Sequence, residues 1–213
     1  MKQISLYNNI FTPGGLLAIT ALVGTGILFV INWHSSPYIK ENERQMLLKS
    51  VSSVLDNVQY DNDILEDTLK VYDKTQLGHD SPSLIYRVRK DKNPIAAVIT
   101  VIAPNGYSGQ IKLLVGINTN NVITGVRVVK HKETPGLGDG IEKQRSDWID
   151  IFLGKSLHNP KVGGWKVKRD GGEFDQLTGA TITPRAIVGA VYKALRYFRT
   201  HYVEIFSDPD VDA

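Results

Sequence analysis

Cysteine is absent from all 213 residues. Its absence excludes cysteine-ligated iron–sulfur clusters, haem held through Cys-x-x-Cys-His, thiol redox chemistry and structural disulfides. The five histidines, His34, His79, His131, His158 and His201, are scattered without the spacing of a metal-ligand set. A strong charge of either sign is also missing: 25 basic and 22 acidic residues leave a net +3. No basic stripe is interleaved with aromatics, so nothing points to nucleic acid as a partner. Between Gln3 and Ile39 there is no Lys, Arg, Asp or Glu at all. If such a chain handles electrons, it must do so with an organic cofactor.

The charge-free stretch holds Leu16–Trp33, which is apolar apart from Thr20, Gly24, Thr25, Gly26 and Asn32. Its length, at about 1.5 Å per residue, comes to roughly 27 Å, close to the ~30 Å hydrocarbon core of a bilayer. Phe11, Trp33 and Tyr38 are of the type that settles at membrane interfaces. A cleaved export signal is the rival, but its apolar region runs to about 7–15 residues and ends in a small-residue cleavage site. Asn32–Pro37 makes a poor site of that kind, so a retained single anchor is expected. Orientation is barely decided by charge. Lys2 stands on one side, and on the other Lys40 and Arg44 are mixed with Glu41 and Glu43.

At this length there is room for one domain of ordinary size plus the appendage. Residues 38–58 read as a helix with Met46, Leu47, Val51, Val54, Leu55 and Val58 on one face. Asp61–Leu84 reads as irregular, with possible short strands. Four strands are expected at Leu84–Arg89, Ile95–Ile102, Gln110–Ile117 and Val122–Val129, with turn residues at Lys90–Asn93, Pro104–Gly109 and Asn118–Asn121. Such short connections imply an antiparallel sheet. A short helix at Ser146–Phe152 stops at Gly154, and Gly164–Arg169 reads as a further strand. A long helix begins at Pro184, with Ile187, Val188, Val191, Leu195 and Phe198 on one stripe. The predicted class is α+β, an antiparallel sheet packed by that C-terminal helix. Ser207–Ala213 reads as a polar tail.

Asp175-Gln-Leu-Thr-Gly-Ala-Thr-Ile-Thr183 leads directly into the long helix. Thr183 suits the N-cap and Pro184 the first helical position. Gly179 and Ala180 permit a tight turn before the cap. The hydroxyls of Thr178, Thr181 and Thr183 then gather at a helix N-terminus, which favours an anion such as phosphate. Arg185, a cation in the first turn, would be relieved by a bound anion. The same spacing also suits an ordinary loop and cap with Arg185 turned to water. A second loop, His131–Gly140, holds three glycines and one proline, and a third places Tyr107 and Ser108 between Gly106 and Gly109.

Asp-x-x-(Ser/Thr)-Gly-Ala-Thr resembles the flavinylation motif of membrane redox complexes. Glu133-Thr-Pro-Gly-Leu-Gly138, behind His131, is a second signature of the same family in the right order. Over most of residues 84–200 the chain resembles the G subunit of the Rnf ion-translocating electron transport complex. The related C subunit of the sodium-pumping NADH:quinone reductase shares the motif. The resemblance implies FMN joined through its phosphate to the Thr181 hydroxyl by a separate flavin transferase that uses FAD. It implies that Leu137 packs against the isoalloxazine face, that Glu133 and Thr134 meet its polar edge, and that Gly136 and Gly138 let the backbone approach. Tyr107 and Ser108 would line the flavin, and Thr178, Gly179 and Ala180 would frame the acceptor threonine. Asp175 would position that threonine or serve the transferase, unless it only closes an Asx-turn. Lys166 and Lys168, two apart, would approach the phosphate or simply form a solvated face; Trp165 reads as core.

The family also places the N-terminus in the cytoplasm and the flavin domain on the periplasmic side of the bacterial inner membrane. Other subunits of the complex and membrane lipid are then the partners. The expected organisation is a stub and anchor at 1–37, a connector at 38–83, an FMN-binding domain at 84–206 and a tail at 207–213. No catalysis is expected from the isolated chain. A cofactor-free anchored scaffold, in which both loops are turns only, is the alternative from a different functional class.

Overall fold

The computed structural model describes residues 4–55 and 58–207. Residues 1–3, 56–57 and 208–213 lie outside the described residues, as do the side chains of residues 4–13, 37 and 40. The expectations for Lys2, for Phe11 at an interface, for Lys40 as a flanking charge and for the tail beyond Ser207 fall there.

Two compact units make up the chain, Met1–Leu47 and Leu48–Ala213. The described part of the first belongs to a single helix, α1 (Ile4–Ser52). This helix joins the two segments read separately from the sequence, because residues 34–37 continue it rather than break it. Gly14–Ser52 is long and apolar enough to cross a membrane, and none of its most apolar window is buried. Leu16, Leu22, Phe29 and Trp33 are each at least 65% exposed. A helix that is apolar and uncovered by its own protein fits a lipid environment.

In the second unit α1 ends at Ser52, not at Val58 as its pattern predicts. The sheet takes the carbonyl that the helix would need next. Val54 O accepts a hydrogen bond from the Thr124 hydroxyl at 2.6 Å. Gly116 and Gly125 are register partners that form a notch for this backbone. A Cβ at Gly116 would stand 2.4 Å from Val54 O, and one at Gly125 would stand 2.8 Å from Val54 Cα. The chain therefore turns into the sheet at Val54.

The sheet has five antiparallel strands in sequence order: β1 (Thr68–Val71), β2 (Ser83–Lys90), β3 (Asn93–Gly106), β4 (Gly109–Asn118) and β5 (Ile123–Lys130). The last four match the four alternating runs. β1 comes from the segment read as irregular, and a short helix, α2 (Lys74–Leu77), separates it from β2. Ile85, Ile99, Leu113 and Val115 face one layer with α3 (Ile182–Thr200), whose Ile187, Val191, Leu195 and Phe198 complete the core. Tyr86, Val88, Val98 and Leu114 face the other way, beneath Val51, Val54, Leu55 and Ile64. Each such side chain, fully buried, contributes about 1.5–3 kcal/mol. α4 (Tyr202–Phe206) closes the first layer with Ile205 and Phe206.

Two expectations change in the connections. Gly164–Arg169 forms no strand; 3-10 turns occupy Val162–Gly164 and Lys168–Asp170. Trp165 and Val167 are buried while Lys166 and Lys168 are exposed, so the period of two is present without a ladder to join. The local bonds run instead to Phe174, with Lys168 N–H donating to its carbonyl at 2.7 Å. Trp165 is core, beside the rings of Phe174 at 4.9 Å and Tyr192 at 5.5 Å. The short helix after Ser146 exists in the tighter 3-10 form at Asp147–Phe152.

Candidate functional site

Glu133 ties three connections together. It is 4% exposed, and its carboxylate accepts a hydrogen bond from Ser108 N–H in the β3–β4 turn at 2.9 Å. The same carboxylate accepts the Thr183 hydroxyl, from the first turn of α3, in a short hydrogen bond. A buried carboxylate is costly unless hydrogen bonds replace its water, and these two donors do so from opposite ends of the domain sequence. The Glu133 N–H donates to His131 Nδ1 at 3.0 Å. His131 Nε2 therefore carries the proton that it gives to Glu142, 2.6 Å away.

This arrangement departs from the expected cap. α3 starts at Ile182 with Thr181 in the N-cap place, and Thr183 lies fully buried inside the first turn. The Thr183 hydroxyl serves Glu133 rather than the helix end. Pro184 still falls in the first turn, where a missing N–H has no helical partner to lose. The first helical bond runs from Arg185 N–H to Thr181 O at 3.2 Å. The N–H groups of Ile182 and Thr183 precede it and remain for a ligand at the helix end.

A cavity of about 380 Å³ opens between these loops, lined by Tyr107, Glu133, Thr134, Leu137, Gly138, Gly179, Ala180, Thr181, Ile182 and Thr183. Eight of these ten are residues singled out in the sequence as cofactor contacts; Ile182 was not, and Thr183 was taken as a cap whose hydroxyl joins those of Thr178 and Thr181 at the helix end. Its size lies in the range of small-molecule and cofactor sites, about 300–1,000 Å³. Gly179 has φ +79°, the left-handed turn that brings Ala180 and Thr181 back toward Leu137. Tyr107, Leu137 and Ile182 form an apolar rim and are 70%, 55% and 44% exposed. Tyr107 thus stands open at the cavity mouth rather than packed into the core.

The remaining expected residues stand around the cavity without lining it. Ser108 reaches it through its N–H on Glu133. Gly136 N–H donates to Asp139 Oδ1 at 2.8 Å. Thr178 is exposed, and Asp175 pairs with Lys168 at 2.6 Å across solvent, a contact worth about 0–1 kcal/mol. Lys168 is therefore engaged with Asp175, and Lys166 is exposed on a turn.

Arg185 is neither left for an anion nor turned free into water. Its guanidinium grips Asp170 through two bonds, at 2.5 and 2.7 Å. Those hydrogen bonds, only partly offset by burial, hold the Asp170 carboxyl below the usual carboxylate range. The cation at the Thr181 hydroxyl is Arg169, whose Nη1 donates to Oγ1 at 3.3 Å. Sequence reasoning passed over Arg169 because the stretch around it reads as a strand. The signal available was its place in Lys166-Val-Lys-Arg169, the most basic run near the motif.

A family model described as an FMN-binding domain matches residues 106–196, a span that encloses the whole cavity lining. A Shewanella baltica protein is 43% identical over 202 residues, covering 95% of each chain. A Pseudomonas aeruginosa protein is 45% identical over 183 residues, covering 86% of each. One from Vibrio cholerae is 41% identical over 197 residues, 92% of this chain and 94% of its own length. All three carry the name of the G subunit of an ion-translocating oxidoreductase complex. These matches cover most of the chain, and the chain belongs to the family of these G subunits.

Proposed function

We propose that this chain carries electrons through an FMN joined by a phosphoester to Thr181. Family membership and the FMN-binding domain make it a membrane-anchored FMN-binding subunit of an ion-translocating oxidoreductase complex. The observation that carries the covalent reading is the place of the Thr181 hydroxyl. It lines the cavity at the N-terminus of α3 and accepts a hydrogen bond from Arg169.

The residues present fit the cofactor. The apolar rim of Tyr107, Leu137 and Ile182 suits a flat ring system, while Glu133 and Thr134 offer it polar contacts. The helix N-terminus and Arg169 suit a phosphate, whose negative charge would offset that of the guanidinium. Bound FMN supplies the redox chemistry; the protein supplies position, exclusion of water and a fixed electrostatic setting. Attachment replaces one bond by another. Thr181 Oγ displaces AMP from the FMN phosphorus of FAD, the Oγ–P bond forms as the pyrophosphate bond breaks, and the hydroxyl proton leaves. In this reading a separate flavin transferase catalyses the step. Asp175 and Thr178, exposed next to the acceptor, are what that enzyme would read.

In this reading residues 1–37 form the cytoplasmic stub and anchor, 38–83 the connector and 84–206 the flavin domain, held on the periplasmic side among the other subunits and lipid. Protein co-produced with a flavin transferase and exported should be yellow, should bleach with dithionite, and should keep one FMN per chain by intact mass after denaturation. Colourless protein under those conditions contradicts the proposal. Reporter fusions beyond Lys40 and at the C-terminus should both report export, and a cytoplasmic signal from either contradicts the topology.

A further inference from the structure

We infer that Lys112, Lys130 and Lys132 form a docking surface for an acidic face of the protein that exchanges electrons with the flavin, an inference that rests on the flavoprotein reading above. Lys112 and Lys130 are direct partners across β4 and β5. Residues so placed share one sheet face with Cβ atoms about 4.5–5.5 Å apart, where like charges are destabilising. The ladder itself does not require this pairing. Leu113 pairs with Val128, so an unbroken register would set Lys112 against Val129; a shift between Lys112 and Leu113 brings Lys130 there instead. Val129 is left exposed. A bulge that re-aims a side chain beside a binding site is a usual functional device, and here it pairs two lysines across the ladder.

Lys132 joins them two residues further along. The three lysines line one open cavity of about 380 Å³ together with Ser108, Gln110 and His131, and among the described residues no carboxylate lines it. The lysine cavity adjoins the cofactor cavity through the turn in which Tyr107 precedes Ser108. The exposed apolar rim of Tyr107, Leu137 and Ile182 is thus flanked by uncompensated positive charge.

That combination selects the occupant. A small anion would neutralise the lysines but would not cover the flavin seated against the rim. A protein with an acidic patch beside an apolar one covers both, and charge complementarity of this kind steers encounter and fixes orientation. Zero-length carbodiimide treatment of the intact complex, purified from membranes, joins an ammonium only to a carboxylate in direct contact. Peptide mass spectrometry should find Lys130 or Lys132 linked to an aspartate or glutamate of another chain. The Lys130→Glu, Lys132→Glu double variant should keep its FMN but slow flavin reduction in the complex at least about tenfold at low salt. The difference should vanish between ~0.01 M and ~1 M salt, as the Debye length falls from about 30 to 3 Å. No inter-protein link from lysines shown by acetylation to be reactive, or equal reduction rates at both salt levels, overturns the inference. A link found on a chain that carries no FMN supports the docking surface and contradicts the flavin reading alone.

Discussion

The Thr183 hydroxyl donates to the buried Glu133 carboxylate across 50 positions of sequence. This contact fixes the start of α3 against the loop that frames the cavity, so it controls where Thr181 sits. Thr183→Val keeps the shape and leaves Glu133 with the Ser108 N–H as its remaining donor at that carboxylate. The expected loss is about 1–3 kcal/mol, the range for a buried polar group left partly unsatisfied. Urea unfolding of the detergent-solubilised chain, followed by tryptophan fluorescence, reads it. Flavin should still attach, more slowly, and an unchanged midpoint would show the contact to be incidental.

Gly125→Ala tests the seat of the segment that follows α1. The added methyl group would meet Val54 Cα at 2.8 Å, and overpacking of that kind costs about 1–3 kcal/mol. Protease sensitivity near Ser53 should rise with it. Gly163→Ala, where nothing lies within 4 Å, should stay within about 0.5 kcal/mol of the parent. Equal behaviour of the two variants would contradict the notch.

Much of this fold was legible in the sequence because alternation and turn residues are local. β2 to β5 and α3 follow from runs a few residues long, whereas the cavity loops were singled out through their resemblance to a family, since their spacing alone also suits ordinary turns. What was not legible is non-local. Thr183 looks like a cap until Glu133 claims it, and Arg185 looks free for an anion until Asp170 takes it. Gly164–Arg169 carries the burial pattern of a strand, yet it has no neighbouring strand to pair with. The end of α1 is set by Thr124, 70 positions beyond Val54.

His79 gives a pH signature. It is 9% exposed, its Nε2 is buried without a partner, and burial first, then the Lys112 charge, hold its pKa below the ordinary value. The unfolded histidine, with a pKa near ~6.5, therefore binds a proton that the folded one refuses. Stability should fall as pH drops below about 6.5 and level off below the folded pKa. Urea midpoints of His79→Phe should show a shallower fall over the same window. Parallel curves for variant and parent would remove His79 as the cause.

Arg169→Gln separates loading from folding. The side chain is exposed, so stability should change by no more than about 0.5 kcal/mol. In the proposed reading, its contact with Thr181 Oγ1 puts it where the phosphate would arrive. Loss of a charge-assisted hydrogen bond there should slow flavin attachment by roughly tenfold or more. A time course of intact mass with the transferase and FAD measures the rate, and Arg169→Lys should recover part of it. Attachment at the parental rate would leave Arg169 without a role in loading.

The central claim is that Thr181 carries the flavin. Thr181 makes no side-chain cap bond to α3, so Thr181→Val removes the acceptor hydroxyl while leaving the helix start intact. The direct measurement is the intact mass of denatured, transferase-treated protein, with flavin fluorescence read on the denaturing gel band. The parent should carry one FMN unit and fluoresce; Thr181→Val should be folded, lack that mass and stay dark, while Thr178→Val retains at least part of its flavin. A Thr181→Val chain that still carries covalent FMN, or a parent that never acquires it beside an active transferase, contradicts the account.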